Sequence, residues 1–277
     1  MEHRIGFMQG RLSPIRNGRI QSFPWENWEK ELEIGSSLNF KLMEWTIDSE
    51  NFLENPLLLE VETGQIAKLL KSKNIEIHSV TCDYYMENPF GESDDFQVLA
   101  NLKKIIEAMQ LVKAHILVIP LVDNSSISEI NQSTVSKFLE LAECLAEHEV
   151  KIAFESDFNP PQLAEFIEYF PDHLFGINYD IGNSAALGFK PLEEFAEYGN
   201  RVINVHVKDR PFGGSTVPLG QGNADFSEIF RLLEQFKYQG NYILQTARAK
   251  DGTHADTLSR YREMVVNWVQ EAKNEYK

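Results

Sequence analysis

The chain is short of positive charge. Its 277 residues hold 26 Lys and Arg against 42 Asp and Glu, a formal net charge of −16. A field of that sign repels a phosphate backbone, which argues against nucleic acid as a partner. Thiols are scarcer still. The two cysteines, Cys82 and Cys144, supply neither a disulfide framework nor the thiolate set of a structural zinc site. Within "FLELAECLAEHEV", helical spacing is expected to bury Cys144 among leucines. Long apolar runs are also missing: none approaches the roughly 18 to 20 residues of a membrane span. The opening "MEHRIGFMQGRL" has no charged region followed by an apolar one, as a signal peptide would. The expectation is a cytoplasmic protein with neither a membrane nor a nucleic-acid partner.

What the chain has is alternation. Short apolar runs rich in β-branched residues recur between amphipathic stretches of ten or more residues, the pattern of repeated βα units. Strands are predicted at 4–8, 41–46, 75–80, 115–120, 150–155, 174–180, 201–207 and 241–246. Helices are predicted near 26–39, 57–73, 94–113, 128–148, 160–169, 191–199, 226–237 and 254–274. Ser128 reads as a helix N-cap with Asn131 at the third position, Pro160 and Pro161 suit a first turn, and Asp225 reads as the cap of "FSEIFRLLEQF". No linker or composition shift divides the chain, so residues 1–277 are expected to form one domain. An open dinucleotide-binding sheet would want G-x-G-x-x-G after its first strand, and "MQGRLSP" is not that. Eight uninterrupted units point instead to a single closed (β/α)8 TIM barrel, an α/β fold.

Such barrels build their active sites at the C-terminal ends of the strands. Glu155, Asp180, His206 and Gln245 end the last four predicted strands in order. Two carboxylates, an imidazole and an amide oxygen are ligand types for one divalent metal: Mn2+, Mg2+ or Co2+, with Zn2+ also compatible. Other strand ends add Glu44 with Trp45, whose ring could pack on a sugar face or anchor the loops, and His78 and Asp83 around "IHSVTCD". Lys208 in "HVKDR" is read either as a group that orients or protonates substrate or as half of a surface ion pair. Lys208, Arg210, Arg248 and Lys250 gather after the last two strands, where barrels often bind phosphate; pairing with Asp209 and Asp251 is the alternative. Gln9 and Arg11 are further polar candidates after the first strand.

The ordered set "GFMQGRLSP", "FES", "YDIGN", "HVKD", "LGQGNADF" and "ILQTAR" runs through nearly the whole chain. With it the chain resembles the xylose isomerase-like barrel superfamily, in the sugar phosphate isomerase/epimerase group shared with the family 2 abasic-site endonucleases. The resemblance implies a metal site of Glu, Asp, His and Glu from strands five to eight, with both Glu also acting on substrate. Glu155, Asp180 and His206 match, and Gln245 departs. The endonuclease branch carries a further His three residues after the strand-six Asp; here that residue is Asn183, and "VIPLVDN" offers no His.

The chemistry implied is isomerisation or epimerisation of a ketose sugar or sugar phosphate, by proton abstraction beside a carbonyl that a divalent metal polarises, with Glu155 as base. Gln245 cannot accept a proton. A second acid would then be Lys208, Glu44 or Asp83. The alternatives are a catalytically silent sugar-binding or regulatory relative, a dehydratase, or a metal hydrolase. Homo-oligomerisation is left open.

Overall fold

The computed structural model describes residues 4–16, 18–249 and 252–275. Eight parallel strands close into a barrel in sequence order: β1 (Ile5–Met8), β2 (Leu42–Ile47), β3 (Glu76–Cys82), β4 (Ile116–Leu121), β5 (Lys151–Ser156), β6 (Phe175–Asp180), β7 (Val202–Val207) and β8 (Tyr242–Leu244). Closure comes from β8 pairing with β1, Ile5 opposite Tyr242 and Phe7 opposite Leu244. Runs such as "ILVIPL" in β4 are buried along nearly their whole length, as strands covered on both faces must be.

The surrounding helices are α1 (Trp28–Ser37), α2 (Glu60–Lys73), α3 (Tyr84–Glu87), α4 (Asp95–Val112), α5 (Gln132–Leu139), α6 (Ala142–Glu147), α7 (Pro160–Glu168), α8 (Ile181–Leu187), α9 (Pro191–Tyr198), α10 (Phe226–Gln235) and α11 (His254–Glu275). Local chemistry explains their starts. Asp225 accepts from the Glu228 amide at 3.0 Å, and Pro160 and Pro161 open α7 behind the Asn159 cap. The cap expected at Ser128 lies instead at Asn131, whose side chain accepts from the Ser133 amide at 2.8 Å. The single helix expected over 128–148 is two, α5 and α6. Cys144 is only half-buried, its Sγ 3.8 Å from His148 Nδ1.

Two register shifts matter for the site. Between β2 and β3, Met43 faces Ile77 but Glu44 faces Ser79, so His78 is the extra residue of a bulge. Between β6 and β7, Ile177 faces Val202 but Asn178 faces Asn204, so Ile203 is skipped. Because side chains alternate along a strand, one inserted residue re-aims everything that follows it. The second bulge sets Asn178 beside Asn204 and Asp180 beside His206.

Candidate active site

β5, β6 and β7 deliver Glu155, Asp180 and His206 to one point at the C-terminal rim. One ligating atom from each lies within 4.8 Å of the others, and all three residues are buried. The His206 ring is clamped between carboxylates. Its Nε2 is 2.7 Å from Glu44 Oε1, and its Nδ1 is 3.0 Å from Glu155 Oε2 and 3.9 Å from Asp180 Oδ2. Burial alone would lower the imidazole pKa, but Glu44 and Glu155 overcome it and push it up to about 10. Glu44 is fixed in turn, accepting from Ser79 Oγ at 2.6 Å and Asn204 Nδ2 at 3.0 Å. A carboxylate behind a histidine fixes ring orientation and strengthens the other nitrogen as a ligand.

Asparagines organise the carboxylates. Asn178 Nδ2 donates to Glu155 Oε2 at 2.8 Å, and Asn183 Nδ2 donates to Glu155 Oε1 at 2.7 Å. The Asn183 amide also donates to Asp180 Oδ1 at 2.8 Å, so Asp180 caps α8. Burial tends to raise the Glu155 pKa, yet the neighbouring His206 and Lys208 cations bring it below its usual value. Asp180 goes the other way: burial raises its pKa and the Lys208 charge does not fully offset this. The Lys208 ammonium sits 2.6 Å from Asp180 Oδ2 and is the partner of this buried oxygen. Lys208 donates on to Gln245 Oε1 at 3.0 Å. Its stem passes over Gly182, where any Cβ would come within 2.7 Å of Lys208 Cγ.

A cavity of about 270 Å3 opens above these groups, lined among others by Arg11, Asp83, Glu155, Lys208, Arg210 and Gln245. Arg210 is held by Asn183 Oδ1, which accepts from its Nη1 at 2.7 Å. Asp209 is not its neighbour's ion-pair partner. It is buried and accepts from the Gly220, Gly222 and Ala224 amides, folding the "LGQGNA" loop around itself. At Gly222 a Cβ would lie 2.1 Å from Asp209 Oδ1, so only glycine fits.

Several expected contacts are not at this cavity. Trp45 is fully buried behind the strand against Phe23 and Trp28, its Nε1 donating to Asn55 Oδ1 at 3.0 Å. Adjacent residues on a strand face opposite sides, so Trp45 and Glu44 could not both face a sugar. Glu44 is itself wholly buried beneath His206 and serves as its partner. His78 is the third residue of β3, well short of the rim, and lines an outer cavity with Lys71, Lys113 and His115. Arg248 bonds the carbonyls of Ser13 and Ile20 and lines a neighbouring cavity. Lys250 and Asp251 lie outside the described residues. The contacts not anticipated are those of Asn178, Asn183 and Asn204. Two of them carried a signal: Asn178 and Asn204 stand two places before Asp180 and His206, on the same face of their strands.

The donor set fits a divalent cation. Two carboxylates and one imidazole converge, the Asp180 oxygen has only the displaceable Lys208 ammonium as a partner, and oxygen-rich ligation with one nitrogen suits hard or borderline ions. Gln245 meets this set through Lys208.

A family model described as a xylose isomerase-like TIM barrel matches residues 30–264. The chain is 24% identical over 234 residues to the L-ribulose-5-phosphate 3-epimerase UlaE of Escherichia coli, covering 79% of this chain and 82% of that relative. A solved L-ribulose 3-epimerase shares the fold with a TM-score of 0.75 at 13% identity, covering 99% of this chain and 96% of the other. A xylose isomerase-like TIM barrel protein from Mycobacterium smegmatis, solved in complex with magnesium, gives a TM-score of 0.70 at 17% identity, covering 96% of each chain.

Proposed function

The chain belongs to the xylose isomerase-like TIM barrel family, and from that premise we propose that it isomerises or epimerises a ketose sugar or sugar phosphate. The observation that carries this reading is the convergence of Glu155, Asp180 and His206 beneath a cavity that also presents Lys208 and Arg210. The epimerase relative supports it. A divalent ion (Mn2+, Mg2+, Co2+ or Zn2+) held by Glu155, Asp180 and His206, with Gln245 as a neutral fourth donor, would supply Lewis acidity toward the sugar carbonyl.

The chain's own groups do the rest. Glu155, kept ionised beside the Lys208 cation and oriented by two asparagine amides, takes the proton from the carbon beside the carbonyl. Lys208 reaches the same cavity with hydrogen-bonding capacity beyond Asp180 and Gln245, and it stabilises negative charge developing on a substrate oxygen. Arg210, steadied by Asn183 and the Gly214 carbonyl, binds a hydroxyl or a phosphate oxygen of the substrate. Glu44 keeps His206 in a fixed orientation. A cytoplasmic location belongs to the same proposal.

A catalytically silent sugar-binding protein is the second reading, and Gln245 is what favours it: the fourth rim position is a neutral amide already bonded to Lys208. One experiment separates the two. Metal-loaded protein is incubated with a panel of ketoses and ketose phosphates in deuterium oxide and followed by proton NMR. Catalysis requires loss of a carbon-bound proton signal next to a carbonyl, and a chelator should stop it. Binding to a sugar without exchange on any member of the panel establishes the silent reading instead.

A further inference from the structure

We propose that Asp83 is the second acid-base group of this site, acting from the β3 sector of the rim while Glu155 acts from β5. The proposal rests on the isomerase/epimerase reading. Inverting a carbon beside a carbonyl removes a proton from one face and returns one to the other, which two separately placed groups accomplish without the substrate turning over. Gln245 cannot be the second group, because an amide has no useful basicity and its oxygen is engaged by Lys208. Glu44 is sealed beneath His206 with both oxygens bonded. Three carboxylates line the cavity: Asp83, Asp123 and Glu155. Asp123 is exposed, out in water where a proton is lost to solvent.

Asp83 follows directly on Cys82, the last residue of β3, so it stands at the rim two strands around from Glu155. It occupies the N-cap position of α3, yet its side chain makes no capping hydrogen bond. An aspartate in that position ordinarily bonds the first helical amides. Here the carboxyl is spared for the cavity, and no described residue hydrogen-bonds it. Burial, with Asp48 and Glu155 nearby, pushes its pKa up to about 7 against the opposing pull of Arg11 and His206. That value suits a group that exists in both protonation states near neutrality.

The step balances. The Glu155 carboxylate accepts the carbon-bound proton, and the C–H electron pair forms the carbon–carbon double bond of an enediolate as the carbonyl π pair moves onto oxygen. The Asp83 carboxylic acid then gives its proton to the other face of the same carbon while the carbonyl re-forms. Glu155 ends protonated and Asp83 ionised, and exchange with water resets both. Turnover of the opposite epimer runs with the two roles reversed.

The test is Asp83→Asn in the metal-loaded full chain, using a ketose that the wild type turns over in deuterium oxide. Deuterium should still enter the recovered starting ketose through Glu155, while the inverted product forms about 10² to 10⁴ times more slowly. Adding Gln245→Glu to Asp83→Asn should restore inversion by supplying a carboxylate from β8, which a merely misfolded variant could not show. Inversion at the wild-type rate in Asp83→Asn, or an equal loss of exchange and inversion that Gln245→Glu does not repair, overturns the proposal. A wild type that binds ketoses but exchanges no carbon-bound proton overturns the isomerase reading and this proposal with it.

Discussion

The molecule contains the same pair twice, at opposite ends of the barrel. At the C-terminal rim His206 Nε2 lies 2.7 Å from Glu44; early in β3 His78 Nε2 lies 2.9 Å from Glu76. Distance does not distinguish them, but water does. Both side chains of the first pair are wholly buried, while those of the second are 41% and 72% exposed. An exposed pair is screened and contributes little, on the order of 0 to 1 kcal/mol. A buried pair leaves a costly uncompensated charge when one partner is removed, roughly 3–5 kcal/mol. The first pair therefore shapes a site, and the second decorates a surface.

Mutations sharpen this contrast. The largest effect is expected at the buried end, where Glu155→Gln should lower ketose turnover by about 10⁴, near the upper range for one acid-base group; product formation followed by NMR checks it. Next comes the support behind His206. Glu44→Gln should weaken divalent-metal binding by roughly 10- to 100-fold, read by titration calorimetry, and should also lower the unfolding midpoint of the metal-free protein.

Asp83 offers a pH test. Its carboxyl sits near 3.8 when unfolded, and burial raises it to about 7 in the fold. Between those values the native state holds a proton on Asp83 that the unfolded chain has released, so the Asp83 contribution to stability falls as pH rises from about 4 to about 7. Asp83→Asn removes that dependence. Its metal-free form should match the wild type near pH 4 and exceed it by on the order of 2 kcal/mol at pH 8, as measured by urea melts at both values. The smallest effect is expected at Glu76→Gln, which should change stability by less than about 0.5 kcal/mol and leave metal binding unaltered.

The strands were readable in the sequence because β-branched runs between amphipathic stretches leave little choice of element. β2 was expected at 41–46 and runs Leu42–Ile47; β7 was expected at 201–207 and runs Val202–Val207. Glu155, Asp180 and His206 were readable because polar, ligand-type residues near the C-terminal ends of consecutive barrel strands are where such barrels build their sites. What sequence periodicity could not show is a bulge. One extra residue at His78 sets Ser79 against Glu44, and one at Ile203 brings Asn178 and Asn204 into step. Asn183 was hidden differently. It sits in α8, whose "IGNSAAL" is too short to display a helical period, yet it bonds Glu155 directly and sets Arg210.

The most direct measurement is Mn2+ binding, followed by electron paramagnetic resonance, in the wild type, His206→Ala and His78→Ala. The wild type and His78→Ala should each bind one Mn2+ per chain with the same affinity, and His206→Ala should lose that binding, since His206 supplies the only nitrogen among the three converging ligands. Mn2+ bound equally well by His206→Ala, or not bound by the wild type at all, would contradict a metal centre at Glu155, Asp180 and His206.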